Sequence, residues 1–201
     1  MAPRDGRCKV NMKDISLIGF MGCGKSSVGK ILATLLPECR LIDLDTYIEE
    51  KQGKNIPEIF NEYGEAAFRR MEREALEEIF SDKSRPRAIL SLGGGTVTSE
   101  QCRQLIRQHT DCFYLRATTD TLLDNLEGHS DGRPMLNPTQ PVEAQSTETS
   151  SEREALRRRI ESLMQTRSPQ YIATANHIID IDGLSFAQIA EAVEDNILNI
   201  K

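Results

Sequence analysis

Eight residues carry the strongest chemical signal in the chain. Gly19-Phe20-Met21-Gly22-Cys23-Gly24-Lys25-Ser26 fits the pattern G-x-x-x-x-G-K-[ST]. Glycines allow backbone N–H groups to converge on phosphate oxygens, and a helix N-terminus behind them adds a favourable dipole. Lys25 supplies a point charge for β- and γ-phosphates, and the Ser26 hydroxyl can take one position on a Mg²⁺ ion. The pattern therefore points to a nucleoside triphosphate and leaves the acceptor open. It requires a strand before it and a helix after it. Ile15–Gly19 is an apolar run of strand length, and Lys25–Leu36 places Val28, Ile31, Leu32, Leu35 and Leu36 on one helical face.

Other residues could act beside such a loop. Asp43 and Asp45 bracket Leu44 at the end of a second strand, where alternation sends both carboxylates to one side. They suit one metal role and one hydroxyl-orienting role, or else a strand-end turn with helix-capping acids. Gly93-Gly94-Gly95 ends a third strand; it permits close backbone approach to a ligand, or is a flexible turn. Arg69 and Arg70 lie beside inward Phe68 and Met71, where an arginine needs an anion; a local pair of Arg69 with Glu72 meets the same need. Arg133-Pro134 and Arg167-Ser168-Pro169-Gln170-Tyr171 are weaker signals, since Pro169 can simply kink a helix and Tyr171 can be core. Cys23, inside the loop and two residues from Lys25, is either the most reactive of the thiols or an inert loop residue.

These residues sit in an alternation of strands and helices. Strands are expected at Ile15–Gly19, Leu41–Leu44, Ala88–Leu92, Cys112–Leu115 and His177–Ile181. Helices are expected over Lys25–Leu36, Thr46–Gln52, from Asn55-Ile56-Pro57-Glu58 onward, over Gly64–Phe80, from Ser99 through Ile106, and from Thr118 or Thr119 through Glu127. A helix over Arg153–Arg167 precedes the fifth strand. A final helix capped by Ser185 has Phe186, Ile189, Val193 and Ile197 inward. Such alternation implies crossover units and a parallel sheet. Pro138–Glu152 breaks it: eleven of its fifteen residues are Ser, Thr, Gln or Glu and two are Pro, which reads as a mobile loop. The arginines at 153, 157, 158 and 159 read as a solvated helix face.

Composition narrows the class. At 201 residues one domain is expected, with residues 1–14 as a disordered N-terminal tail and 15–201 as the folded unit. No apolar run approaches the ~20 residues that span a bilayer. A net charge of −6 argues against a general nucleic-acid binder, and five cysteines without a C-x-x-C pair fit a reducing cytoplasm. The expected partners are small molecules, with no nucleic acid and no membrane, and the expected state is a monomer.

Taken together, the ordered set resembles the shikimate kinase family. The matching residues are Gly24-Lys25-Ser26-Ser27-Val28-Gly29, Ile42-Asp43-Leu44-Asp45, Ile59-Phe60, Gly64-Glu65 with Phe68-Arg69-Arg70-Met71-Glu72, Leu90-Ser91-Leu92-Gly93-Gly94-Gly95, Arg133-Pro134, and Arg167-x-Pro169-x-Tyr171. The resemblance runs from about Ile15 to Asp182 and implies an α/β P-loop kinase fold. That fold has a five-stranded parallel sheet with helices on both faces, and a lid, here about 128–153. It implies transfer of the γ-phosphate of ATP to the 3-hydroxyl of shikimate, with ATP and Mg²⁺ required. By resemblance Gly22, Cys23, Gly24, Lys25, Ser26, Ser27 and Arg133 bind the nucleotide, and Ser26 and Asp43 serve the metal. Asp45, Arg69, Gly93, Gly94, Gly95 and Arg167 bind shikimate, and Lys25, Asp45 and Arg133 are catalytic. The chain departs from the family pattern at Asn125, where an arginine that packs on adenine is common, and in the 34 positions from Arg133 to Arg167, a longer span. A gluconate-kinase-like enzyme and a catalytically weak nucleotide-binding homologue are the alternatives.

Overall fold

The computed structural model describes residues 13–126 and 148–199. The expectations for residues 1–12, for Arg133 and for most of the lid lie outside the described residues.

Five strands form one parallel sheet in the order β2-β3-β1-β4-β5. They are β1 (Asp14–Ile18), β2 (Arg40–Asp43), β3 (Ala88–Ser91), β4 (Thr110–Arg116) and β5 (His177–Asp180). β1, β3 and β4 are buried almost throughout because both faces are covered. Alternation along β1 and β4 divides the core. Ile15, Leu17, Phe113 and Leu115 face a cluster with Val28 and Leu32 of α1 (Lys25–Leu35) and Ile189, Val193 and Ile197 of α7 (Phe186–Asn199). Ile18, Cys112 and Tyr114 face the other, with Phe68, Leu76 and Ile79 of α3 (Ile56–Ser81) and Ile106 of α4 (Glu100–His109). Helices thus cover both faces, as the α/β reading expects. Among the described residues no helix is long and apolar enough to cross a membrane.

Local signals explain most boundaries. Asn55 and Glu58 form the expected reciprocal cap at the start of α3. Ser99 caps α4 by accepting from the Cys102 N–H. Thr118, rather than Thr119, caps α5 (Thr119–Leu126) by accepting from the Thr121 N–H at 3.4 Å. At Gly64 the backbone leaves the helical region with φ 77°, so α3 is two helical pieces joined at a kink.

Three expectations need correction. The second strand stops at Asp43, and Leu44 opens α2 (Leu44–Gln52), so Asp45 is a first-turn helix residue. The segment read as a loop over Pro138–Glu152 is helical from Glu148, where α6 (Glu148–Thr174) begins; its part at 138–147 lies outside the described residues. Phe186 is 42% exposed rather than inward, because it is the first residue of α7 and lies over the phosphate-loop side of the fold. The arginines of α6 also do more than face solvent: Arg153 donates to Asp124 of α5 at 2.9 Å, and Arg157 pairs with Asp120.

Candidate active site

The site lies beyond the carboxyl ends of β1, β2 and β3, where open α/β sheets bind ligands. A cavity of about 550 Å³ is lined by Gly22, Gly24, Lys25, Ser26 and Ser27 on one side and Asp43, Asp45, Ser91, Gly93 and Gly94 on the other. Asn125 and Phe186 complete its rim.

The phosphate loop joins β1 to α1. Gly24 is the N-cap of α1 at φ 89°, and no side chain caps the helix, so the first-turn N–H groups are left for a ligand. A side chain at Gly24 is excluded twice, by that φ and by the Phe186 ring, which a Cβ would meet at 2.5 Å. Lys25 is nearly buried and donates to the carbonyls of Gly19 and Phe20, both at 2.9 Å. Asn125 donates to the Gly22 carbonyl at 2.9 Å and so ties α5 to the loop. Cys23 is 0% exposed, and its sulfur lies 3.7 Å from the Lys25 Nζ. Its side chain turns away from the cavity into the core, which supports an inert loop residue rather than a reactive thiol.

Asp43 works as a hub. One carboxylate oxygen accepts the Asp45 and Thr46 N–H groups and so caps α2. The other accepts the Ser26 hydroxyl at 2.7 Å, and Ser26 lies 3.2 Å from Ser91. The same side chain thus caps α2 and reaches the phosphate-loop serine. Among the described residues no group of three acidic, His or Cys side chains could hold a metal ion. Ser26 and Asp43 offer two hard oxygens, which suits Mg²⁺, an ion usually held by one or two protein oxygens together with phosphates and water.

Asp45 packs against the glycine turn: a Cβ on Gly93 would meet its Oδ1 at 2.9 Å. That oxygen is buried without a hydrogen-bond partner. Burial, with Glu72 and Asp43 nearby and Lys25 opposing, pushes the carboxyl up to about 7.

Arg69 lies across Gly95, whose Cβ would fall 2.3 Å from the guanidinium Nη2. It is held by Glu72 at 2.6 Å and Glu65 at 3.0 Å, so the local pair and the site position coexist. Glu72 is 0% exposed and also accepts from Thr96. Arg167 of α6 is buried and sits over the Phe20 ring at 5.9 Å. Burial and the charge of Arg69 lower its pKa from the ordinary value. Arg69 Nε and Arg167 Nη1 are buried with no partner. Neither arginine lines the 550 Å³ cavity itself; Arg69 lies on the glycine turn that forms its wall, and Arg167 lies over Phe20 of the phosphate loop. Arg70 is exposed and takes no part.

Four contributors are not among the site residues expected from the sequence. Glu72 was visible as the i, i+3 partner of Arg69. Ser91 had no signal beyond its place at the strand end. Thr96 and Phe186 reach the site only through the tertiary fold.

A parallel sheet of this order, a phosphate loop after its central strand and an acid-and-arginine pocket across the cleft define a P-loop kinase of small molecules. The family model for shikimate kinase matches residues 21–197. A shikimate kinase from Sulfurihydrogenibium sp. is 36% identical over 182 residues, covering 90% of this chain and 96% of the relative. One from Chlorobaculum tepidum is 37% identical, covering 91% of each. The solved shikimate kinase from Acinetobacter baumannii in complex with shikimate superposes with a TM-score of 0.77 at 29% identity, covering 94% of this chain and 96% of that one. The chain belongs to the shikimate kinase family.

The raised Asp45 carboxyl carries a stability consequence. The fold favours its protonated form, so the cost of ionising it is absent below the unfolded value of 3.8 and fully present above about 7. Asp45→Asn should melt at a higher temperature than the wild type at pH 8, and the difference should vanish near pH 4. Equal melting temperatures of the two proteins across that range would contradict the assignment.

Proposed function

We propose that this chain transfers the γ-phosphoryl group of ATP to the 3-hydroxyl of shikimate. The observation that carries this reading is the set of buried polar atoms left without partners beside the glycine turn. Arg69 Nε and Arg167 Nη1 are donors in need of an anion, and Asp45 Oδ1 is an acceptor in need of a hydroxyl. Their complement is a hydroxylated carboxylic acid. Family membership and the shikimate bound to the Acinetobacter relative narrow that class to shikimate. A gluconate-kinase-like activity is not favoured.

In this reading the phosphate loop holds ATP through its backbone N–H groups, from Gly22 through Ser27. Lys25 exchanges its contacts with the Gly19 and Phe20 carbonyls for phosphate oxygens. Ser26 and Asp43 would hold Mg²⁺, which when bound neutralises charge on the phosphates. Arg69 and Arg167 grip the shikimate carboxylate, a contact that planar guanidinium groups make well. Gly93, Gly94 and Gly95 form the wall that carries the ring. Asp45 orients the 3-hydroxyl and takes its proton as the oxygen attacks the γ-phosphorus; the bond from that phosphorus to the β–γ bridging oxygen breaks and ADP leaves. Arg133, outside the described residues, is proposed as the lid arginine that meets the transferring group.

A coupled assay of ADP release with shikimate, quinate and gluconate tests the reading. Turnover should be strong with shikimate alone. Turnover on gluconate, or none on any of the three, would overturn it. Lys25→Ala should lower turnover by roughly 10²–10³-fold, the loss seen when one preorganised transition-state donor is removed. Near-normal turnover would refute the loop assignment.

Arg69→Ala should raise the KM for shikimate by about 10–100-fold, the worth of a charge-assisted contact, and leave the KM for ATP within about twofold. Equal effects on both substrates would make Arg69 structural only. Asp45 ionising near 7 in the free protein should make kcat/KM for shikimate rise with pH through that value and level off above it. A profile flat between pH 5.5 and 8.5 would remove Asp45 as the proton acceptor.

A further inference from the structure

The glycine turn has two unlike sides. All three of its carbonyls are engaged. Gly93 O accepts the Thr96 N–H at 3.1 Å, and Gly95 O accepts the Thr98 N–H at 2.9 Å and the Thr98 hydroxyl at 2.7 Å. Gly94 O accepts the Tyr171 hydroxyl at 2.5 Å. Among the described residues no protein acceptor takes the N–H of Gly93, Gly94 or Gly95. The turn is thus a donor surface beside the partnerless Asp45 oxygen.

The first and third carbonyls are held by the turn that follows them in the chain. The middle one is held only from a distance, by a residue 77 positions away on α6. A peptide between two glycines can rotate as a unit with little steric cost, because neither neighbour has a Cβ. A rotated Gly94–Gly95 peptide would exchange its carbonyl and N–H directions, since the two are opposed across a planar trans peptide. No hydrogen bond from within the turn opposes that rotation; the Tyr171 hydroxyl does.

We infer that Tyr171 is a positioning residue for the phosphoryl acceptor: it locks the Gly94–Gly95 peptide in the orientation that keeps the turn a donor surface, and sets that surface at a fixed offset from Arg167, one helical turn away. Tyr171 is suited to the task. It is 0% exposed, and its ring stacks on buried Tyr114 with centroids 4.9 Å apart and planes at 23°. Burial drives its phenol far above the ordinary range, so the hydroxyl stays a donor at every working pH. Residues 167 and 171 share one face of α6, so the helix that presents an arginine to the acceptor also pins the turn that the acceptor lies against.

The inference rests on the proposed function, and the test separates the two. Tyr171→Phe keeps the stacked ring and removes the hydroxyl, which also interacts with the Arg167 side chain, so the amide resonances of Gly94 and Gly95 decide whether the effect runs through the turn. If the peptide then divides between orientations, the apparent affinity falls by the competent fraction. The shikimate KM should rise about tenfold, with the ATP KM unchanged within about twofold. Ser16→Ala is the control: it removes another buried hydrogen bond, to Thr110 at 2.7 Å, at a β1 position that does not line the cavity. It should cost a similar few degrees of melting temperature and leave both KM values alone. A Tyr171→Phe protein that behaves like Ser16→Ala, or that changes both KM values equally, would overturn the inference while leaving the function intact. A wild type that does not phosphorylate shikimate would overturn both. A measurement on the wild type needs no variant to fold. With ¹⁵N-glycine labelling, Gly94 and Gly95 should each give one sharp amide resonance that shifts on adding shikimate; doubled or exchange-broadened resonances before the addition would show that the peptide is not locked.

Discussion

The site depends on one close approach, the packing of charged side chains against the backbone of Gly93-Gly94-Gly95. Asp45 and Glu72 crowd Gly93, and Arg69 lies on Gly95 at a distance no side chain could share. Gly94 abuts the Met21 N–H of the phosphate loop, where a Cβ would sit at 3.1 Å. The turn is therefore the common wall of two half-sites. One is built from β1 and α1 and carries the phosphate loop; the other is built from α2, α3 and α6 and, in the proposed function, takes an acidic, hydroxylated acceptor. Parallel pairing of β1 with β3, with Leu17 opposite Ser91, puts the phosphate loop and the glycine turn at the same edge.

This arrangement concentrates charge in a small space. Asp45 and Glu72 meet at Gly93 and Arg69 at Gly95, with Glu72 paired to Arg69 between them. Such a cluster opposes folding where its members lack partners, which is why Asp45 holds its proton to about 7 and Arg167 is driven down from its ordinary value. Each strained group is one that a hydroxy acid would satisfy. Glu72 limits the cost by pairing with Arg69 and Thr96 inside the core. The same groups that lower stability are those with chemistry left to perform.

Much of this was legible in the sequence. The phosphate loop, the five strands and the caps at Asn55, Ser99 and Ser185 each follow from local pattern, which is what short elements obey; the helices on both faces of the sheet follow from the family resemblance. Asp43 and Asp45 were found for an incomplete reason: alternation in a strand was assumed, but capping by Asp43 starts a helix at Leu44, and both acids reach the cavity from there. Phe186 fits the apolar stripe of α7 by spacing, yet the first residue of a helix can hang over its end, and this one covers Gly24. Cys23 sits within the phosphate-loop motif, but its side chain points into the core, a direction that spacing does not reveal. The bond from Tyr171 to Gly94 is closed by the tertiary fold alone, and no local rule could place it.

The central claim is that the protein reads a carboxylate and a hydroxyl at two separate places beside one glycine turn. Calorimetric binding of shikimate, its methyl ester and its 3-deoxy analogue measures this directly. The ester removes the charge that Arg69 and Arg167 require, and should bind about 10–100-fold more weakly than the acid. The 3-deoxy compound leaves the arginines satisfied and only Asp45 without its hydroxyl, and should bind with a smaller loss. An ester that binds as tightly as shikimate would contradict the account, because the partnerless Arg69 Nε and Arg167 Nη1 would then not be the groups that read the carboxylate.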